Sequence, residues 1–182
     1  MDDQRQYQQR LQTFVSDPNR DRLFQKLLDC DLTRIAHETF DRVTTLLPSP
    51  VEEIVCHIVP AVGSKGGGAC YAPGKILICV PSDELSPVRL KRNIAHEYSH
   101  TYRYAIKSME TQFGFGDAVP YRVRDYLIFE GLAGVLAETL FPHPGLPAPE
   151  VSADKEADFW RTTDLEAVGM DAYIQIYDPE RV

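Results

Sequence analysis

The stretch His96-Glu97-Tyr98-Ser99-His100 decides how the rest of this 182-residue chain is interpreted. On an α-helix, residues four positions apart lie on one face, one turn above the other. Two imidazoles placed in this way can donate nitrogens to a single Zn²⁺ at about 2.0–2.1 Å. Glu97 projects about 100° around the helix axis from His96, so its carboxylate can reach a water on the open side of the metal. We therefore predict that His96 and His100 are metal ligands and that Glu97 is a general base.

The residues around this stretch favour a helix. Ser86-Pro87 is typical of a capping residue followed by proline in the first helical position. An apolar stripe then recurs at spacings of three and four, formed by Leu90, Ile94, Tyr98, Thr101 and Ala105. Because the two histidines point the other way, we expect the stripe to pack into a core and the histidine face to meet a cleft or solvent. The competing interpretation is a pair of surface histidines on a polar helix face.

A second predicted helix, residues 121–140, offers a third ligand. From Tyr126 onward it is apolar on nearly all sides, which is typical of a buried helix. Glu130 lies in its middle, and a lone buried carboxylate must be paired, protonated or bound to a metal. Small residues on the same face would let another helix approach, so Glu130 could complete a site of two histidines and one glutamate with the fourth position open. The alternative is that Glu130 pairs with Arg124 or with a buried tyrosine.

Other potential ligands fit less well. Four of them lie in segments that are better explained as scaffold, strand, linker or polar connection: His37, His57, His143 and Glu110. Glu138 points about 80° away from Glu130 around the helix, so we interpret it as a supporting or helix-end charge. Asp125, near the start of the same helix, could orient a ligand histidine.

Two segments of the chain together resemble the gluzincin class of metallopeptidases: His96-Glu97-Tyr98-Ser99-His100 and Glu130-Gly131-Leu132-Ala133. More narrowly, they resemble predicted zinc-dependent proteases whose active helix reads His-Glu-Tyr-His-His and whose later helix carries Glu-Gly-Leu-Ala. That family also tends to have an apolar strand ending in proline before the active helix, as in Lys75-Ile76-Leu77-Ile78-Cys79-Val80-Pro81. The resemblance covers residues 60–140. Ser99 replaces the family's penultimate histidine, which is not a ligand, and the family's glycine- and tyrosine-rich C-terminal segment is not evident.

The resemblance implies a fold and a reaction. The fold is an α+β zincin-like domain, mostly helical with a small mixed β-sheet. The reaction is zinc-dependent hydrolysis of peptide bonds, with Zn²⁺ held by His96, His100 and Glu130. In such peptidases the strand before the active helix, here residues 75–80, forms the upper edge of the cleft, where an extended peptide can add by backbone hydrogen bonds.

We expect a single domain over residues 1–182. It divides into a helical scaffold (1–47), a catalytic core (51–140) and a C-terminal extension (141–182). Strands are predicted at 53–59 and 75–80, and the glycine-rich residues 63–68 are expected to form a hairpin connection or a loop at the cleft rim. The reaction also needs a donor to the oxyanion, for which four tyrosines are candidates: Tyr71, Tyr102, Tyr121 and Tyr126.

The composition and charge of the chain limit the classes of partner that we expect it to bind. The formal net charge of −8 argues against a nucleic-acid surface, and no apolar run approaches the length of a membrane span. The chain opens with a polar segment rather than a signal peptide. Its four cysteines show no Cys-x-x-Cys spacing, so we expect free, buried thiols in a reducing compartment. These observations predict a cytoplasmic protein that acts on a peptide or protein substrate and binds neither nucleic acid nor membrane, with an unknown oligomeric state.

Two other functions are compatible with the sequence. One is a zinc-binding interaction domain of the same fold that has no catalytic activity. The other is an all-helical regulatory module in which the histidine motif is coincidental. Metal content separates the second alternative from the other two, and a hydrolysis assay separates a peptidase from a non-catalytic zinc domain.

Overall fold

The computed structural model describes residues 16, 20–61, 66–81, 86–107, 122–142 and 152–167. Within these ranges the chain forms five helices and three strands, which confirms the expected α+β class with a small mixed sheet. In chain order they are α1 (Arg20–Asp29), α2 (Leu32–Leu46), β1 (Val55–Pro60), β2 (Gly67–Ala72), β3 (Lys75–Val80), α3 (Pro87–Lys107), α4 (Val123–Leu140) and α5 (Ala153–Thr162). The division of 1–182 into scaffold, core and extension stays a prediction.

The three strands are ordered β1-β3-β2, with β1 parallel and β2 antiparallel to β3. The expectation that residues 75–80 form the edge of the cleft is therefore wrong, because among the described strands β3 is central and β2 lies at an edge. The glycine-rich connection expected at residues 63–68 overlaps the start of β2, where Gly67 and Gly68 have low strand propensity. The pairing of β2 with β3 overrides that propensity. The two strands are joined by a turn at Gly74, whose φ is +73°.

One face of β3 and the apolar stripe of α3 share the core. Their buried side chains are Ile76, Ile78 and Val80 from the strand, and Leu90, Ile94 and Tyr98 from the helix. This confirms the predicted stripe. The Tyr98 hydroxyl donates a hydrogen bond of 2.5 Å to the carbonyl of Leu47, at the end of α2. These contacts fix the rotation of α3 about its axis.

Within the described residues, helix α4 packs against α3 along one side. Its buried residues are Val123, Phe129, Ala133, Ala137 and Leu140. The opposite side is apolar but exposed, with Ile128 at 54%, Leu132 at 52% and Val135 at 64% exposure. The prediction of a helix buried on all sides is therefore wrong, because the apolar pattern does not reveal how many neighbours pack around it.

The N-terminus of α4 is capped by the segment that follows α5. The backbone N–H groups of Val123 and Arg124 donate to the carbonyls of Ala167 (3.1 Å) and Leu165 (3.2 Å). Glu166 also forms ion pairs with Arg122, at 3.1 Å, and with Arg124. Helix N-termini leave backbone donors without intrahelical partners, and these carbonyls satisfy two of them. The cap anchors the helix that carries Glu130.

The four cysteines are free, as expected, but they are partly rather than fully buried. Burial raises the pKa of the Cys56 and Cys70 thiols to about 11, so both are protonated at neutral pH. Among the described residues, no helix is long and apolar enough to cross a membrane. Glu110, Tyr121 and His143 lie outside the described residues.

Candidate metal centre

His96 and His100 meet on the cleft-facing side of α3. Their Nε2 atoms are 3.1 Å apart, and the two rings stand nearly perpendicular, with centroids separated by 4.7 Å. Donor atoms of His96, Glu97 and His100 all lie within 4.8 Å of one another. The interpretation of two surface histidines on a polar face is therefore wrong, since His100 is only 5% exposed.

Glu130 reaches both histidines from α4. Its Oε2 lies 3.1 Å from the Nε2 of His96, and its Oε1 lies 3.5 Å from the Nε2 of His100. The alternative pairing with Arg124 is wrong, because Arg124 pairs with Glu166. Burial alone would raise the pKa of Glu130, but the hydrogen bond and charge interactions with the histidines outweigh it and hold this pKa below its ordinary value. The Glu130 carboxyl group is therefore ionised at neutral pH, so that its oxygens could bind a metal ion.

The donor atoms of these three side chains fit a single metal ion. Atoms bound at 2.0–2.1 Å to a tetrahedral ion are about 3.3 Å from one another. The two Nε2 atoms are 3.1 Å apart, and the Glu130 carboxylate approaches His96 at 3.1 Å through Oε2 and His100 at 3.5 Å through Oε1. Burial lowers the pKa of His100 to about 4, so its imidazole is neutral, as a ligand must be. Two helices thus bring together an imidazole–imidazole–carboxylate set that can hold a metal.

Glu97 lies on the other side of the cluster, beneath strand β2. It is 5% exposed, and the backbone N–H of Cys70 hydrogen-bonds its carboxylate. Burial raises the pKa of Glu97 to about 7, an effect that Glu130 reinforces and that His96 and Cys70 oppose. Although Glu97 shares the donor cluster, it is the carboxylate of Glu130 that contacts both Nε2 atoms.

The cluster opens into a cleft of about 440 Å³. Strand β2 forms one wall with Gly68, Ala69 and Cys70, and an aromatic wall consists of Tyr104, Tyr126 and Phe129. The cleft contains enough space for a short extended segment of a ligand, and it presents backbone and hydroxyl groups beside the cluster.

Among the described residues, two tyrosines line this cleft, and the sequence predicts one of them. Tyr126 was among the candidates, whereas Tyr104 was not. The sequence does carry the signal for Tyr104, since it follows His100 by four residues and therefore lies on the same helix face. Tyr71 instead stacks on His57, with ring centroids 6.5 Å apart, and does not line the cleft. Tyr102 does not line it either.

The other residues considered as ligands or supporting groups either lie apart from the cluster or form contacts with other residues. His37 and His57 are exposed on α2 and β1. Glu138 forms an ion pair with Arg92, which joins α4 to α3, in agreement with its interpretation as a supporting charge. The buried Nδ1 of His100 has no hydrogen-bond partner within the described ranges, so Asp125 does not hydrogen-bond this nitrogen, and its role in orienting a ligand histidine stays a prediction.

A helix that presents two histidines, a neighbouring helix that supplies a carboxylate and a strand along the cleft define an α+β domain with a candidate metal-binding cluster. A family model described as "Predicted Zn-dependent protease (DUF2268)" matches residues 32–162, and the chain belongs to this family. Comparison with curated proteins and with solved structures gives no match.

Proposed function

We propose that this protein is a zinc-dependent peptide-bond hydrolase. His96, His100 and Glu130 hold the metal, and Glu97 is the general base. The observation that carries the proposal is the spacing of the two Nε2 atoms and the Glu130 oxygens, 3.1–3.5 Å, supplied by two different helices. Catalytic zinc sites typically have three protein ligands, drawn from histidine and carboxylate side chains, and one open position.

Each residue has a defined task in this proposal. A bound zinc ion would supply Lewis acidity toward a carbonyl oxygen and toward water in the open position. Glu97 takes the proton of the attacking water and later delivers it to the leaving amine, and its burial favours both transfers because it raises the carboxyl pKa above its ordinary value. The N–H of Cys70 orients the Glu97 carboxylate, and burial beneath β2 keeps it away from bulk solvent.

The position of strand β2 favours a peptide or protein as the substrate. It is an edge strand that lines the cleft, and edge strands present unpaired backbone donors and acceptors. An extended substrate can add to such an edge, which places a backbone carbonyl beside the metal ligands. Tyr104 and Tyr126, the two tyrosines of the cleft, are the candidate donors to the oxyanion. We retain the prediction of a cytoplasmic protein that binds neither nucleic acid nor membrane.

The test combines metal analysis with a hydrolysis assay on the parent protein. Protein purified without added metal should contain about one zinc per chain, as a site with three protein ligands requires. It should cleave members of a mixed peptide library, lose this activity to a zinc chelator, and regain it when zinc is restored. A zinc-containing protein that cleaves no peptide would favour the non-catalytic interaction domain. A protein that binds no zinc would contradict the site itself.

A further inference from the structure

Among the described residues, the second nitrogen of the His100 imidazole has no hydrogen-bond partner. In metal sites, the nitrogen that does not bind the metal almost always donates to a carboxylate, carbonyl or water, and this bond sets the ring orientation. The Nδ1 atom of His100 is buried and has no such partner in the part of the chain that the structure describes. Within the described residues, the contacts that bear on the orientation of the ring are therefore those made by neighbouring rings.

Phe129 provides that contact. Its ring lies parallel to the His100 imidazole, with an interplanar angle of 7° and centroids 3.9 Å apart. Carbon atoms have their optimal separation at about 3.5–4.0 Å, so tilting the imidazole would press its edge into the phenyl ring. The His96 ring stands at 88° to the imidazole, with centroids 4.7 Å apart. These ring contacts restrain both the tilt and the rotation of His100.

Phe129 is itself held in place. It is 8% exposed, and the guanidinium carbon of Arg103 lies 5.6 Å from its ring centroid, within the range of a cation–π interaction. The Tyr104 ring packs against it with a centroid distance of 5.3 Å. Phe129 also directly precedes Glu130 in α4. The same turn of helix therefore carries the carboxylate that meets both histidines and the ring that orients one of them.

We propose that Phe129 is a positioning residue that keeps the His100 imidazole in its metal-binding orientation, in the place of the usual hydrogen-bond acceptor. The inference rests on the proposed metal site. It concerns zinc affinity rather than the chemical step, because Phe129 acts through His100.

The experiment compares zinc dissociation constants, measured by competition with a chelating indicator. Phe129→Leu keeps an apolar side chain but removes the flat ring, and it should weaken zinc binding by about 10–100-fold, the effect of losing outer-shell support in metal sites. Phe129→Tyr keeps the ring and should retain the parent affinity. Phe40→Leu is the matched control, because Phe40 packs on Tyr98, on the core side of α3, with centroids 6.3 Å apart. Its zinc affinity should equal that of the parent.

The outcomes separate this inference from the proposed function. Phe129→Leu with parent affinity, or with no greater loss than Phe40→Leu, would overturn the positioning role while leaving the metal site intact. Weakening confined to Phe129→Leu supports the role whether or not the parent cleaves peptides. A parent protein that binds no zinc would overturn both proposals. If Phe129→Leu does not fold, as judged by circular dichroism, Phe129→Met replaces it, since methionine is apolar and unbranched and has no ring.

Discussion

Glu97 and Gly68 are in such close contact that no side chain fits at position 68. A Cβ added to Gly68 would lie 2.5 Å from the Oε1 of Glu97 and 2.6 Å from its Cγ. Both distances are well below van der Waals contact. The second involves Cγ, which is close to the backbone and cannot move away as easily as the end of the side chain. The absence of a side chain at Gly68 therefore leaves the space that the Glu97 carboxylate occupies. Strand β2 and the proposed base are in direct contact at this position.

Gly68→Ala should displace Glu97 and leave the three proposed ligands in place. We expect zinc content to be unchanged and kcat/KM for peptide cleavage to fall by about 10²-fold or more, the range for loss of a general base. Zinc analysis and steady-state kinetics on the same preparation check this. Activity equal to that of the parent would show that hydrolysis does not depend on where the Glu97 carboxylate lies. Glu97 would then not be the base.

Gly134→Ala is the matched glycine substitution outside the cleft. Gly134 lies on the exposed side of α4, and a Cβ there would meet nothing within 4 Å. Alanine in a helix interior is more favourable than glycine by about 0.5–1 kcal/mol, so the free energy of unfolding should rise by that amount. Urea denaturation measures it, and zinc content and hydrolysis should stay at parent levels. A destabilised variant would indicate that this side of α4 is covered.

Removal of any proposed ligand should abolish zinc binding. His96→Ala, His100→Ala and Glu130→Ala each take away one of the three donors whose separations match a single ion. Glu138→Gln is the control, because Glu138 lies on the same helix but pairs with Arg92. Mass spectrometry of metal content should give about one zinc per chain for this control, as for an intact three-ligand site, and little for the other three. Full zinc in both histidine variants would place the site elsewhere.

Glu97→Gln should separate binding from chemistry. Glutamine has nearly the same shape as glutamate but cannot accept the proton of the attacking water at neutral pH. We expect zinc and the circular dichroism spectrum to be retained, while kcat falls by about 10²–10⁴-fold. Activity within a few-fold of the parent would assign the base to another residue or the activity to a contaminant.

The sequence reveals most about the parts of the site that depend on helix periodicity. The stripe through Leu90, Ile94 and Tyr98 predicts which side of α3 is buried, and therefore the direction in which His96 and His100 point. The isolated charge of Glu130 in an apolar helix predicts that it needs a partner, and its neighbours are the two histidines. Each of these inferences uses information from one helix at a time.

Features that depend on contacts between distant segments are not predictable in this way. Strand β2 begins with Gly67 and Gly68, so local propensity favours a loop, and only pairing with β3 makes it an edge strand. The orientation of His100 depends on Phe129, 29 positions later, and no periodic pattern connects them. The exposed apolar side of α4 likewise reflects the number of neighbours that pack against it, which composition does not encode.

The cap on α4 bears on how this protein can be dissected into fragments. The family match ends at residue 162, whereas the carbonyls that cap the helix belong to Leu165 and Ala167. A fragment cut at the family boundary would retain every proposed ligand but leave the first N–H groups of the Glu130 helix without these acceptors. Such a fragment should fray at that end of the helix, two turns before Glu130, and hold its metal less tightly than a fragment that extends through residue 167.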